Sequence, residues 1–252
     1  MFQVSVQRVG SYQRDLVREG LLRLLEPLGG MERYVKPGER VLIKPNLLSA
    51  KLPEAAVTTH PELLRAVIEL VQGAGGVALV GDSPGFGSAR KAAERSGMLQ
   101  VIQETGAQFV PFSEALPVVG AGTFRHFELA RPYLEADRLI NLPKLKTHEM
   151  MTLTCCVKNL FGAVVGTQKA AWHLKAGADK ELFAAMLLEV YLLRQPDLNI
   201  VDAIEAMEGN GPGSGDPCRF GLLLAGDNAV AVDLIAAEIA GIPKKLLYLE
   251  NA

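Results

Sequence analysis

Four short, nearly uninterrupted apolar runs constrain this chain most: Val41–Ile43, Val77–Gly81, Leu139–Ile140 and Ile200–Val201. A strand with one face in water alternates apolar and polar residues. A strand covered on both faces does not, and reads as an apolar run. Between these runs lie segments with helical spacing, such as "YQRDLVREGLLRLLEPLGG", "HPELLRAVIELVQGAGG" and "DKELFAAMLLEVYLL". Pro61 suits a first helical turn, Glu62 the positive end of the helix, and the following glycines stop it. From the first strand, "VSVQRV", the order reads βαβαβ. That alternation predicts an α/β protein: a layered, mostly parallel sheet with helices on both faces.

The pattern weakens in the middle of the chain. "FRHFELA" reads as an edge strand or hairpin arm and "RPYLEA" as a turn of helix. Residues 112–180 are expected to form an irregular sub-lobe beside the sheet, within a single domain spanning 1–252. "EAMEGNGPGSGDPC" reads as a loop, and Asp227 as the N-cap of the last helix.

The ends of the apolar runs carry the polar residues. "VLI" leads into Lys44-Pro45-Asn46, "VALVG" into Asp82, "RLI" into Asn141 with Lys144 and Lys146 beyond, and "NIV" into Asp202 with Glu205 and Glu208 after it. In open α/β sheets, ligands bind outside the carboxyl ends of the strands. One shared cleft is therefore expected. Lysine is a mobile point charge with three donors. Lys44, Lys144 and Lys146 would neutralise a phosphate or carboxylate there, while Asn46 and Asn159 orient it. Lys158 and Asn210 join this binding set.

His148 stands at an expected loop-to-helix transition and has the titration range of a general base. His60 and His173 are further candidates for the same cleft. Asp82, Asp202, Glu205 and Glu208 offer the oxygen ligands that Mg²⁺ or a similar divalent ion prefers. Asp233 sits inside an apolar helix and, if buried, needs hydrogen-bond partners; a bond to a neighbouring loop is the first reading. Gly85-Phe86-Gly87 follows a strand, but Arg90 occupies the third glycine position of a dinucleotide fingerprint. "GNGPGSG" lacks the Lys-Ser/Thr ending of a P-loop and reads as a mobile loop or an anion nest.

The chain has 252 residues, 49% of them hydrophobic, and a formal charge of -2, which gives no sign of bulk nucleic-acid binding. No secretory peptide and no membrane span are read, so the cytoplasm is the expected location. The cysteines are Cys155, Cys156 and Cys218, too few for a disulfide framework and without the spacing of an iron–sulfur site.

Taken together, "KPNLL", "TTHPELL", "GDSPG", "NLPKLKTHEMMTLTCCVKNLFG", "VDAIEAMEGNGPGSGDP" and "LLAGDNAVAVD" resemble the family known as domain of unknown function 362. The resemblance implies a shared site at Lys44, Asn46, Asp82, Lys144, Lys146, His148, Lys158, Asn159, Asp202, Glu208 and Asp227. It assigns none of them a catalytic role. Some members carry ferredoxin-type segments for two [4Fe-4S] clusters. This chain lacks that cysteine array and reads as the core domain, so no iron–sulfur cluster is expected from it.

The leading expectation is an enzyme acting on a small anionic substrate, with divalent-metal assistance. In it, His148, Lys146 and Lys144 serve catalysis. Two alternatives stay open. One is a non-catalytic ligand-binding or redox-accessory domain with a ferredoxin-like protein partner. The other is a structural oligomeric protein, with a homodimer as the default.

Overall fold

A computed structural model describes residues 2–85, 87–165, 168–169, 172, 179–242, 246 and 248. The chain begins with β1 (Val4–Arg8), α1 (Arg14–Leu25), β2 (Arg40–Pro45), α2 (Pro61–Gly73), β3 (Val77–Val80), α3 (Ala89–Arg95), α4 (Met98–Thr105) and β4 (Gln108–Phe109). A hairpin of β5 (Ala115–Val119) and β6 (His126–Ala130) follows, then α5 (Arg131–Glu135) and β7 (Arg138–Leu142). Next come β8 (Lys144–His148), β9 (Thr152–Thr154) and α6 (Cys156–Asn159). The described chain continues with α7 (Lys180–Leu193), β10 (Leu198–Glu208), β11 (Asp216–Gly226) and α8 (Ala229–Ile239).

The main sheet runs β1-β11-β10-β7-β2-β3-β4, with β8 and β9 branching from β10. The block β10-β7-β2-β3-β4 is parallel. Its strands are buried on both faces because successive side chains alternate sides. Leu42, Leu79, Leu139 and Val201 belong to one core. Val41, Ile43, Val80, Ile140 and Ile200 belong to the other. The first core holds residues of α5 to α8, such as Tyr133, Val157, Phe183 and Val232. The second holds residues of α1 to α4, such as Leu21, Leu64, Ala92 and Ile102. The expected layered architecture is thus the observed one, and the apolar runs are its central strands.

Local chemistry sets the helix starts. His60 caps α2, its ring nitrogen accepting from Glu62 N at 3.2 Å, with Pro61 in the first turn. Asp179 caps α7 through Leu182 N at 2.9 Å. Asn228, not Asp227, caps α8 by accepting from Ala231 N at 2.9 Å. Asp227 lies one residue too early and instead faces Arg33 at 3.7 Å.

Three further expectations need correction. β1 does not open a parallel βαβ series. It lies at the sheet edge, antiparallel to β11, with Val4 opposite Gly226. Strand direction depends on the partner, and β11 is over 200 residues away in sequence. The expected loop from Glu205 to Cys218 is strand at both ends and turn only between Glu208 and Asp216: β10 and β11 pair as a long hairpin, with a register shift between Ala203 and Glu205. The segment Lys144–His148 is not a loop leading to a helix. It is a strand, parallel to β10 and antiparallel to β9. Its charged residues disguised it. Lys144 and Lys146 are 1% exposed, with their ammoniums paired inside the protein.

Candidate functional site

A cavity of about 630 Å³ opens beyond the carboxyl ends of β2 and β3 and beside the β8–β9 hairpin. Asn46, Asp82, Lys146, His148, Lys158, Asn159 and Lys169 line it, with Thr154, Phe161 and Pro212. Most of the sequence-predicted residues therefore meet in one place, but they do not all face it.

Asp82 in the cavity wall pairs with the buried Lys44, Nζ to Oδ1 at 2.7 Å. The other Asp82 oxygen accepts from Leu47 N at 2.9 Å, which ties the β2 exit to β3. Burial pulls the Lys44 amine below its ordinary range, and Asp82 opposes that pull. Gly162 closes over the pair. A Cβ there would stand 2.1 Å from Asp82 Oδ1 and 2.5 Å from Lys44 Nζ. Only a residue without a side chain lets the "NLFG" backbone lie this close.

Asn46 and Asn159 belong to a directed chain of amides. Asn199 donates to Gly226 O at 3.2 Å, which fixes the orientation of its amide. Asn141 donates to Asn199 at 2.9 Å, Asn159 to Asn141 at 2.8 Å, and Asn46 to Asn159 at 2.8 Å. Every donor points the same way, so Asn46 presents its oxygen to the Lys146 ammonium at 3.1 Å. Val57 O accepts from the same ammonium at 2.7 Å. Buried amides need such partners, because an unmade hydrogen bond here costs about 1–3 kcal/mol.

The cavity lysines differ in charge state. Burial, then the neighbouring Lys158 and Lys144, hold Lys146 well below its ordinary value. Burial, then Lys169 and Lys44, bring Lys158 down to about 7. Burial brings Lys169 down to about 8 against the pull of Asp82. Lys169 donates to the carbonyls of Ser83 and Pro84. Lys158 lies over the rings of Phe161 and Phe183, 4.8 and 5.4 Å from their centroids. Thr154 is 4% exposed, and its hydroxyl has no hydrogen-bond partner among the described residues.

Lys144 and Asp202 form a second, separate cluster with two residues from early in the chain. Tyr12 donates to Asp202 Oδ1 at 2.6 Å, and Lys144 donates to Asp202 Oδ2 at 3.2 Å and to the Tyr12 hydroxyl at 2.9 Å. The backbone N–H groups of His60 and Glu205 complete the set. The His60 ring stacks on Tyr12 at 3.5 Å, and burial, then Lys144, lowers it to about 4 against the pull of Asp202. None of Tyr12, His60, Lys144 and Asp202 lines the cavity. Tyr12, Lys144 and Asp202 bond to one another, and the His60 ring accepts from Glu62 N. Lys144 and His60, expected in the shared cleft, thus stand in this second cluster and not in the cavity lining.

His148 lines the cavity, but its Nδ1 accepts from Met150 N and Met151 N at 3.1 and 3.2 Å. In a neutral ring that places the proton on Nε2. The ring shapes the β8–β9 turn, where Thr152 takes a left-handed φ of 66°. Asn210 is exposed in the β10–β11 turn, and Pro212 reaches the cavity from that turn instead. His173 lies outside the described residues, as does Phe86.

The four carboxylates expected to hold Mg²⁺ are not brought together. Asp82 faces Lys44, Asp202 faces Lys144 and Tyr12, and Glu208 is exposed. Among the described residues one acidic or sulfur cluster has ligand atoms within 4.8 Å of one another: Cys155, Cys156 and Asp233. Both Asp233 oxygens accept backbone N–H groups, from Cys156 at 2.6 Å and Val157 at 3.0 Å. In the metal-free chain burial raises both thiols, Cys155 to about 11. Asp233 makes the structural bond expected of it, but to the first turn of α6 and not to a loop.

Sequence reasoning missed Tyr12, Thr154 and Lys169. Tyr12 carries no signal in its surroundings, since its partner Asp202 is 190 residues away. Lys169 lies in "GTQKAAWHLK", where a lysine beside a Gly-Thr pair was a weak pointer.

Fold and site define a layered α/β protein with a lysine-lined cavity at the carboxyl ends of its parallel strands. The family described as Domain of unknown function (DUF362) matches residues 41–238, and the chain belongs to that family. It is 47% identical over 236 residues to the thylakoid-associated protein sll1697 of Synechocystis sp. (strain ATCC 27184 / PCC 6803 / Kazusa), covering 94% of this chain and 74% of that protein. Its backbone resembles the lactate racemase apoprotein from Thermoanaerobacterium thermosaccharolyticum, with a TM-score of 0.59 at 14% identity. That match covers 93% of this chain but 56% of the racemase chain, and it speaks for the fold alone. No described helix is long and apolar enough to cross a membrane.

Proposed function

We propose that the chain is an enzyme acting on a small carboxylate- or phosphate-bearing molecule held in this cavity. One observation carries the reading. Lys146, Lys158 and Lys169 share a cavity whose one acidic residue among those described, Asp82, is already paired with Lys44. Three amines without a matching carboxylate form a site in want of an anion. In a low-dielectric cavity such charges act strongly on a bound ligand. Lys146 and Lys169 are held by fixed acceptors and serve to grip. Lys158 changes charge near neutrality and serves to exchange a proton.

The reading predicts a pH dependence. As pH rises through about 7 and about 8, Lys158 and Lys169 lose their charges. Anion affinity therefore falls across that range, and binding at neutral pH takes up protons. Oxalate suits the test, because its own charge is constant there. Calorimetric titration should show tighter oxalate binding at the acid end, with proton uptake read from buffers of different ionisation heat. Lys146→Met should weaken binding by up to about 10-fold, the loss of one buried hydrogen-bond donor. An affinity that does not change with pH, or no binding at all, would remove the proposal.

The thylakoid association named for the 47% identical relative adds a point about location. We extend the expected cytoplasmic location to include membrane surfaces, to be checked by fractionation of cells expressing the chain.

A further inference from the structure

The three cavity lysines differ in what occupies their amines, and that difference narrows the substrate class. Lys146 donates to Asn46 and Val57 O, and Lys169 to Ser83 O and Pro84 O. Lys158 has neither a hydrogen bond nor a carboxylate partner among the described residues. Its neighbours are two aromatic faces and two other cations, Lys169 and Lys44. Ring faces attract an ammonium but accept none of its three N–H groups as a carbonyl would. Like charges nearby favour the neutral amine with a free lone pair, the state of a nucleophilic lysine.

The surroundings also hold this amine in place. Lys158 lies on α6, whose first turn is clamped by the Asp233 carboxylate through the N–H groups of Cys156 and Val157. Thr154, in the same cavity, keeps a buried hydroxyl with no partner among the described residues. Such an orphan is costly unless a ligand atom meets it.

Resting on the anion reading above, we infer that Lys158 is a nucleophile that condenses with the carbonyl carbon of a small oxo acid, whose carboxylate Lys146 and Lys169 hold. The neutral amine attacks the carbonyl carbon. A C–N bond forms, and the carbonyl π pair moves to oxygen, which takes up a proton. The nitrogen lone pair then expels that oxygen as water. Both protons lost by nitrogen leave in the water, and a C=N bond joins Lys158 to the substrate. Thr154, in the same cavity, would hydrogen-bond the departing oxygen. No oxidant, metal or further reactant is needed.

The test uses the unmodified full chain, pyruvate as the probe, and cyanoborohydride to reduce any C=N bond, followed by peptide mass mapping. At pH 7 an amine titrating near 7 is about half neutral, while a lysine at 10.5 is neutral in about one molecule in 3,000. The expected result is a reduced pyruvate adduct on the Lys158 peptide, formed faster than on Lys146 or Lys169 and at least about 10-fold faster than on the lysines outside the cavity. Oxalate, an anion without an electrophilic ketone, should suppress it. Adducts only on other lysines, or none, while oxalate still binds, overturn the covalent step and leave the anion reading intact. An adduct on Lys158 that oxalate does not suppress overturns the oxo-acid class. Absence of both adduct and oxalate binding brings both readings down.

Discussion

Replacing Lys158 with methionine should make the protein more stable, and the gain should depend on pH. The amine titrates near 7 in the folded chain and near 10.5 as an ordinary lysine. Each tenfold step in that gap is about 1.4 kcal/mol, so holding the charge in the folded cavity costs at most about 5 kcal/mol. Lys158 keeps some solvent contact in the cavity, and water relieves part of the cost, leaving on the order of 2–4 kcal/mol. Below about pH 7 both folded and unfolded chains carry the proton and the full penalty applies. Between about 7 and 10.5 the unfolded chain binds more protons than the folded one, so wild-type stability rises with pH. Above that range both are neutral and the penalty is gone. Methionine has nearly the same length and packs well against Phe161 and Phe183. Urea unfolding midpoints at about pH 6, 8 and 10 would measure the difference, provided the slopes stay equal. The variant should lead by the largest margin at the acid end and match wild type at the alkaline end. A variant that is less stable at every pH, or a lead that does not change with pH, would refute the charge argument.

Two further outcomes concern the supports of the site. Gly162→Ala would place a methyl group 2.1 Å from Asp82 and 2.5 Å from Lys44. Either the buried pair separates or the "NLFG" backbone shifts, at about 2–4 kcal/mol, read by thermal unfolding, with oxalate affinity falling alongside; a stability within about 0.5 kcal/mol of wild type would contradict the packing described. Asp202→Asn leaves the Lys144 ammonium without a buried counter-charge and should cost about 3–5 kcal/mol, whereas Tyr12→Phe, which removes one hydroxyl, should cost about 1–3. Oxalate affinity of the folded Tyr12→Phe protein should stay near wild type, because the Tyr12 cluster does not line the cavity; a large loss would show the two clusters to be one site.

Sequence alone determined the layers. Val41–Ile43, Val77–Val80 and Ile200–Val201 are apolar on both faces, and a strand of that kind must be covered twice. The helices between them supply the covers. Because ligands gather at the carboxyl ends of such strands, Asn46, Asp82, Lys146 and Asn159 were legible as neighbours before any coordinates. Asp233 was legible too, since a carboxylate inside an apolar helix must find partners. What sequence could not supply was the division of the charged residues into partners. Lys144 and Lys146 are two apart on one strand and look equivalent. Yet Lys144 meets Tyr12 and Asp202, while Lys146 meets Asn46 and the cavity. Which ammonium is spent on a buried carboxylate depends on residues 58 to 132 positions away, and the direction of β1 on a strand over 200 positions away. Lys158 owes its depressed basicity to no motif. It follows from Phe161, Phe183, Lys169 and Lys44 closing around one amine, and only the tertiary structure decides that.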